Sequence, residues 1–170
     1  YPYRRIESRD NNFGIALLSR FPIIESGIIE IHPEVPSIFA KIQMGDEILC
    51  VIATHPVPPT NLEYFRWRNK QLKMLAGKAR EAGPRALLLG DLNTSPWSPF
   101  FRQLLADSGL RDSSEGRGIH PTWPAGRFFL RIPLDHCLYS PGIEIVSKEI
   151  GPDVGSDHFP IVVDFKFRTP

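Results

Sequence analysis

The run Arg85-Ala86-Leu87-Leu88-Leu89-Gly90 constrains the fold more than any other part of this chain. Its apolar side chains are consecutive, so it has no polar face to turn to water. A strand of this kind belongs in the middle of a sheet covered on both sides. It then runs directly into Asp91-Leu92-Asn93-Thr94-Ser95-Pro96. The interior of the protein therefore delivers polar side chains at the end of one of its central strands.

The segments around that strand mix two kinds of connection. Residues 14–18 and 23–31 read as strands, with Gly27 as a candidate bulge. In 37–44, Ile38, Ala40, Ile42 and Met44 alternate with Lys41 and Gln43, and Gly45-Asp46 turns the chain into 47–54. Thr60-Asn61-Leu62-Glu63 fits a capping box with Thr60 as the cap. Leu62, Phe65, Leu72, Leu75, Ala76 and Ala79 then recur at near-helical spacing until Gly83-Pro84 stops the helix. A second helix is predicted over 96–107, with Thr94 or Ser95 as cap and Gly109 as its end. Residues 134–140, 143–149 and 159–167 read as three more strands. Hairpins together with strand–helix–strand units predict a mixed α/β protein.

At 170 residues the chain can build one domain around a real core. Its formal net charge of +1 gives no support to tight nucleic-acid binding. It leaves open an enzyme that handles phosphate esters with a metal. Cys50 and Cys137 each sit in an apolar run, lack metal-ligand spacing, and read as buried free thiols. There is no apolar run long enough to span a bilayer and no visible signal peptide. The opening Tyr1-Pro2-Tyr3-Arg4-Arg5, without Met, reads as the middle of a longer protein.

Four places carry candidate chemistry. In the first, strand alternation would put Asp91 and Asn93 on one side. Asp91 could act on a water while the Asn93 amide donates to a phosphate oxygen, beside a helix start that favours anions. In the second, Gly155-Ser156-Asp157-His158 leads into an apolar strand. Three neighbours cannot line up as a hydrolytic triad, but Asp157 and His158 can serve one site if the backbone bends at the glycine. In the third, Asp135 opens an apolar strand and needs a partner, for which His158 is suited, while His136 points to the other side. In the fourth, His55 ends the strand 51–54. Apolar strands thus deliver polar groups at one end, as catalytic scaffolds do.

The order His55, Gly90-Asp91-Leu92-Asn93, Leu134-Asp135-His136 and Ser156-Asp157-His158, with Gly14-Ile15-Ala16-Leu17-Leu18-Ser19-Arg20 upstream, resembles the endonuclease/exonuclease/phosphatase superfamily. The resemblance implies a four-layer α/β sandwich with two packed mixed sheets, and hydrolysis of phosphate esters with Mg²⁺ or Mn²⁺. It implies that Asp91 positions or deprotonates the attacking water and that Asn93 holds a phosphate oxygen. His158 would stabilise charge on the scissile phosphate, Asp135 would orient His158, and His55 would be a second acid or phosphate contact. Asp157, with Asp91, would lie at the metal. The family also places an Asn and a metal-binding Glu on two strands ahead of the match. Neither is found here, and Glu7 is not a substitute, so residues 1–170 are expected to form a domain lacking its N-terminal segment. Such a chain is expected to bind Mg²⁺ weakly, to show little activity alone, and to be able to self-associate through an uncovered sheet.

Two other readings remain in view. One is a non-catalytic binding or regulatory module that keeps the fold. The other is a nuclease proper, for which Arg127-Phe128-Phe129-Leu130-Arg131 could stack on bases or press into a groove. That segment could equally dip into a lipid interface, and is expected to be core with two surface arginines; Trp123 could wall the pocket but is expected to be a packed aromatic, and the basic residues of 66–80 a solvated helix face.

Overall fold

The computed structural model describes residues 1–32 and 34–168, without the side chains of Ile31 and Phe128. The central sheet contains β3 (Ile23–His32), β4 (Val35–Met44), β5 (Glu47–Ala53), β6 (Ala86–Asp91), β7 (Arg111–Asp112) and β8 (Asp135–Tyr139). They lie in the order β3-β4-β5-β6-β8-β7, with β5 and β6 parallel and the other pairs antiparallel. The apolar run is thus a central strand, as its composition requires. Two hairpins form separate two-stranded sheets: β1 (Tyr3–Glu7) with β2 (Ile15–Ser19), and β9 (Ile143–Ile150) with β10 (Ile161–Phe167).

Alternation along the central strands divides the core in two. Ile52, Leu88 and Leu138 face α1 (Leu62–Glu81) and α2 (Pro99–Ser108), meeting Leu72, Leu75, Phe101 and Leu104. Val51, Leu87, Cys137 and Tyr139 face the other way and meet Leu17 of β2, Ile143 and Ile145 of β9, and Val163 and Phe165 of β10. Helices, the large mixed sheet and the hairpins are therefore packed layers. Odd-numbered residues of β6 and β8 point toward the hairpins, and this parity aims Asp91 and Asp135 in the same direction.

Several boundaries differ from the sequence reading. The cap of α1 is Asn61, whose side chain accepts from Tyr64 N–H at 2.9 Å, instead of Thr60, and Leu62 is exposed. Helix α2 starts at Pro99 with Ser98 as cap, because 94–98 form turns. Gly27 pairs regularly with Phe39, and the irregularities of β3 fall between Ile23 and Glu25 and between Glu30 and His32. Strands β1 and β7 carry no sequence signal of their own: β1 is held by pairing with β2, and β7 has two residues. The Gly45 turn and the left-handed Gly109 cap are as expected.

Both cysteines are free and buried. Burial pushes the Cys137 thiol up to about 12, so almost no thiolate is present at neutral pH. Alkylation followed by mass spectrometry is expected to leave Cys137 unmodified in the folded protein and to modify it fully in denaturant.

Candidate active site

Strand ends create a cleft of about 1020 Å³ at one edge of the central sheet. His55 follows β5, Asp91 closes β6, Asp135 opens β8, and His158 precedes β10. All four line the cleft, together with Asn93 and Asp157. Because β8 runs antiparallel to β6, its first residue is the register partner of the last residue of β6. Asp135 and Asp91 are thereby set opposite each other.

His158 Nδ1 lies 2.7 Å from Asp135 Oδ2. A carboxylate accepts, so Nδ1 carries the proton and Nε2 is left facing the cleft. That Nε2 stands 3.7 Å from Asp91 Oδ2, and His55 Nε2 stands 3.6 Å from the same oxygen. Asp91 is thus flanked by two imidazoles, one of them fixed by a second carboxylate. Phe13 leans against His55 with ring centroids 5.7 Å apart. Trp123 sits 6.3 Å from the His158 ring, so it walls the cleft instead of packing into the core.

The carboxyl of Asp91 is raised above the usual range, first by burial and also by the nearby Asp135 charge. Its Asn93 N–H bond and the two histidines pull in the opposite direction. A carboxylate moved upward in this way is a better proton acceptor.

The segment after Asp91 departs from strand geometry. Asn93 has φ 49°, the one non-glycine residue with positive φ among those described. Its N–H donates to Asp91 Oδ1 at 2.8 Å, and its side-chain amide donates to Pro56 O at 2.9 Å. Asn93 therefore reaches the cleft through a turn, not through strand alternation, and part of its donor capacity already holds the chain next to His55. His136 lies on the helix side as expected, 1% exposed, its Nε2 donating to Thr94 O at 2.8 Å. Burial keeps its pKa low and hence the ring neutral.

Asp157 is exposed, and the chain bends there, with Gly155 at φ 79°. Among the described residues, no group of three or more His, Cys, Asp or Glu side chains is placed to hold a metal ion. Asp91 and Asp157 line the same cleft, yet they do not by themselves make a metal centre. Glu7 ends β1 and is ion-paired with Arg9 and Arg5 outside the cleft.

Arg68 is the functional candidate that sequence reasoning does not find. Its place among the basic residues of 66–80 suggests a solvated face, but it is 4% exposed and donates to Asn93 O. Charge on the inward face of a helix was the available signal. The segment near Arg127 is also corrected. Phe129 is 95% exposed and Leu130 is exposed, while Arg131 donates to Ala125 O and lies over the Phe159 ring.

A sequence profile of the endonuclease/exonuclease/phosphatase family matches residues 1–158. A UPF0294 protein of Vibrio vulnificus is 25% identical over 171 residues, covering 94% of this chain. The chain spans 56% of that relative's length. An endonuclease/exonuclease/phosphatase protein from Beutenbergia cavernae superposes with a TM-score of 0.74 at 21% identity, over 91% of this chain and 47% of that one. A mannosyl-6-phosphatase of Bacteroides thetaiotaomicron superposes with a TM-score of 0.70 at 19% identity, over 86% and 67%. At these identities the structural likeness establishes the shared fold.

Proposed function

The chain belongs to the endonuclease/exonuclease/phosphatase family, a family of phosphoesterases that generally use divalent metals, and from that premise we propose that the protein carrying it hydrolyses phosphate esters by in-line attack of an activated water. The observation that carries this reading is the placement of Asp91 Oδ2 between His55 and His158, with Asp135 fixing His158.

Water beside Asp91 loses its proton to the raised carboxylate as its oxygen bonds to phosphorus. The ester P–O bond opposite breaks. His158, in its imidazolium form, presents Nε2–H to the phosphoryl oxygens as their charge grows. His55 is placed to give a proton to the leaving oxygen. The remaining Asn93 donor holds a phosphoryl oxygen. Mg²⁺ or Mn²⁺ would supply Lewis-acid stabilisation of that charge. This chain offers it Asp91 and Asp157, an incomplete ligand set, and the proton transfers described run through protein groups.

The experiment is hydrolysis of bis(p-nitrophenyl) phosphate by the full-length protein with Mg²⁺, Mn²⁺ or EDTA. Turnover with a metal and none with EDTA is expected; no turnover with any metal favours the binding-module reading. The same assay tests the Asp135–His158 pair. Asp135→Asn and His158→Gln should each lower kcat, and the double variant should fall little below His158→Gln alone. Additive losses would mean that Asp135 does not act through His158.

A further inference from the structure

The lip of the cleft carries an apolar tip that the hydrolytic chemistry leaves unused. Trp123 and Ile132 line the cleft and bridge each other as an antiparallel pair, Trp123 N–H donating to Ile132 O at 3.1 Å and Ile132 N–H to Trp123 O at 2.6 Å. Residues 124–131 leave the lip from that pair as a closed loop. Its far end is a single 3-10 turn, Phe128–Leu130, with Leu130 N–H donating to Arg127 O at 3.0 Å. Phe129 is 95% exposed there and Leu130 61%.

The loop is braced from within and from the side. Arg131 Nη2 donates to Ala125 O at 2.7 Å across the base of the loop, and its Cζ lies 4.5 Å from the Phe159 ring centroid. Ala125 N–H donates to Asp157 O at 2.8 Å, and Phe159 N–H donates to Thr122 O at 3.0 Å. These bonds join the loop to the segment 153–158, which brings a further exposed apolar side chain, Val154. A braced loop keeps its large apolar side chains in water, at a cost that burial against a partner recovers.

The form of the tip selects that partner. Phe129 and Leu130 project from a turn, so a rigid partner needs a preformed hole for them, whereas acyl chains part around them. Trp123 at the base and the exposed Arg127 beside the tip suit the headgroup level, where amphipathic rings and snorkelling cations reside. The tip also stands at the mouth of a cleft read above as a phosphate-ester site, and a phospholipid surface is a sheet of such esters. A protein bound at the same lip would cover the mouth instead of supplying it. Asp153 and Asp157, exposed on the adjoining segment, offset Arg127 and Arg131, so apolar insertion and not net charge carries the attachment.

We propose that the loop 124–131 docks the mouth of the cleft onto a phospholipid surface, with Phe129 and Leu130 entering the acyl region. The choice of phospholipid as partner rests on the phosphoesterase reading of the cleft; the exposed tip does not.

The test is tryptophan fluorescence of the full-length protein with phosphatidylcholine vesicles, plain or brominated on the acyl chains, where bromine quenches a ring on contact. Phe129→Trp is compared with wild type, which supplies the background of native tryptophans. It is also compared with Ile48→Trp, whose exposed side chain sits near the start of β5, at the other end of that strand from His55. Melting curves check that each variant folds, and Leu130→Trp takes the place of Phe129→Trp if the latter does not. Phe129→Trp is expected to lose emission to brominated vesicles beyond wild type, at low and high salt alike, and Ile48→Trp is not. Adding Leu130→Ser (Phe129→Ser where Leu130→Trp is used) should raise the ratio of unquenched to quenched tip about tenfold or more, the scale of one buried apolar side chain. No added quenching at the tip, equal quenching in Ile48→Trp, quenching abolished by salt, or a ratio unmoved by the serine overturns the proposal. Tip emission that shifts to the blue with protein concentration and not with lipid assigns the tip to a second copy, which overturns it as well. Quenching at the tip without bis(p-nitrophenyl) phosphate turnover counts against the phosphoesterase reading and leaves the docking standing. Turnover without quenching does the reverse.

Discussion

Asp91→Asn is expected to lower kcat by ~10²- to 10⁴-fold, the range for loss of a general base, with the fold intact. Asn is nearly isosteric and its carbonyl oxygen can still accept from Asn93 N–H, so the turn at Asn93 should survive. The side chain can no longer take a proton from water. The same substitution has a second signature. Burial raises the Asp91 carboxyl in the folded state, so the folded protein holds this proton to higher pH than the unfolded chain does. Stability is therefore lost as pH rises from the ordinary carboxylate value through the raised one. Asp91→Asn removes that loss, and in EDTA at neutral pH it should melt no lower than wild type. A variant that is both inactive and clearly less stable would make Asp91 a structural residue instead.

Gly90→Ala carries the largest expected loss of stability, about 3 kcal/mol or more from backbone strain and overpacking together. Gly90 has φ 140°, a conformation that side chains of L residues rarely adopt. A Cβ built there would come within 1.8 Å of Thr54 O. The obstacle is backbone, so no side chain can swing away. Thr54 N–H donates to Leu89 O at 2.9 Å, just beyond the β5–β6 pairing, so the strands would have to separate at the point that sets His55 beside Asp91. Urea unfolding is expected to show a lower midpoint with an unchanged slope. A midpoint equal to wild type would show that the strands part without cost.

Much of this arrangement could be read from residues whose physical demands have few solutions. Leu87-Leu88-Leu89 required cover on both faces and has it. Asp135 at the mouth of an apolar strand required a partner, and His158 is that partner at 2.7 Å. His136 followed from alternation alone. Other features depended on tertiary structure. Asn61 outcompeted Thr60 as the cap because the chain entered the helix one residue later, and Ser98 became the cap of α2 because 94–98 were used to shape the cleft rim. The polarity of Arg68 made it look solvated, but its place on the buried face depends on a carbonyl at Asn93, 25 residues away in sequence. Trp123 and Phe129 show the reverse error. Their apolarity suggested packing, and the structure puts one on the cleft wall and the other at 95% exposure.

The central claim, that a water activated at Asp91 attacks phosphorus, is tested most directly by turning over bis(p-nitrophenyl) phosphate in H₂¹⁸O with the full-length protein and a divalent metal. Mass spectrometry of the products is expected to find one ¹⁸O in p-nitrophenyl phosphate and none in p-nitrophenol, with the labelled product lost in Asp91→Asn. Label in the p-nitrophenol, or labelled product formed as fast by Asp91→Asn, would contradict it.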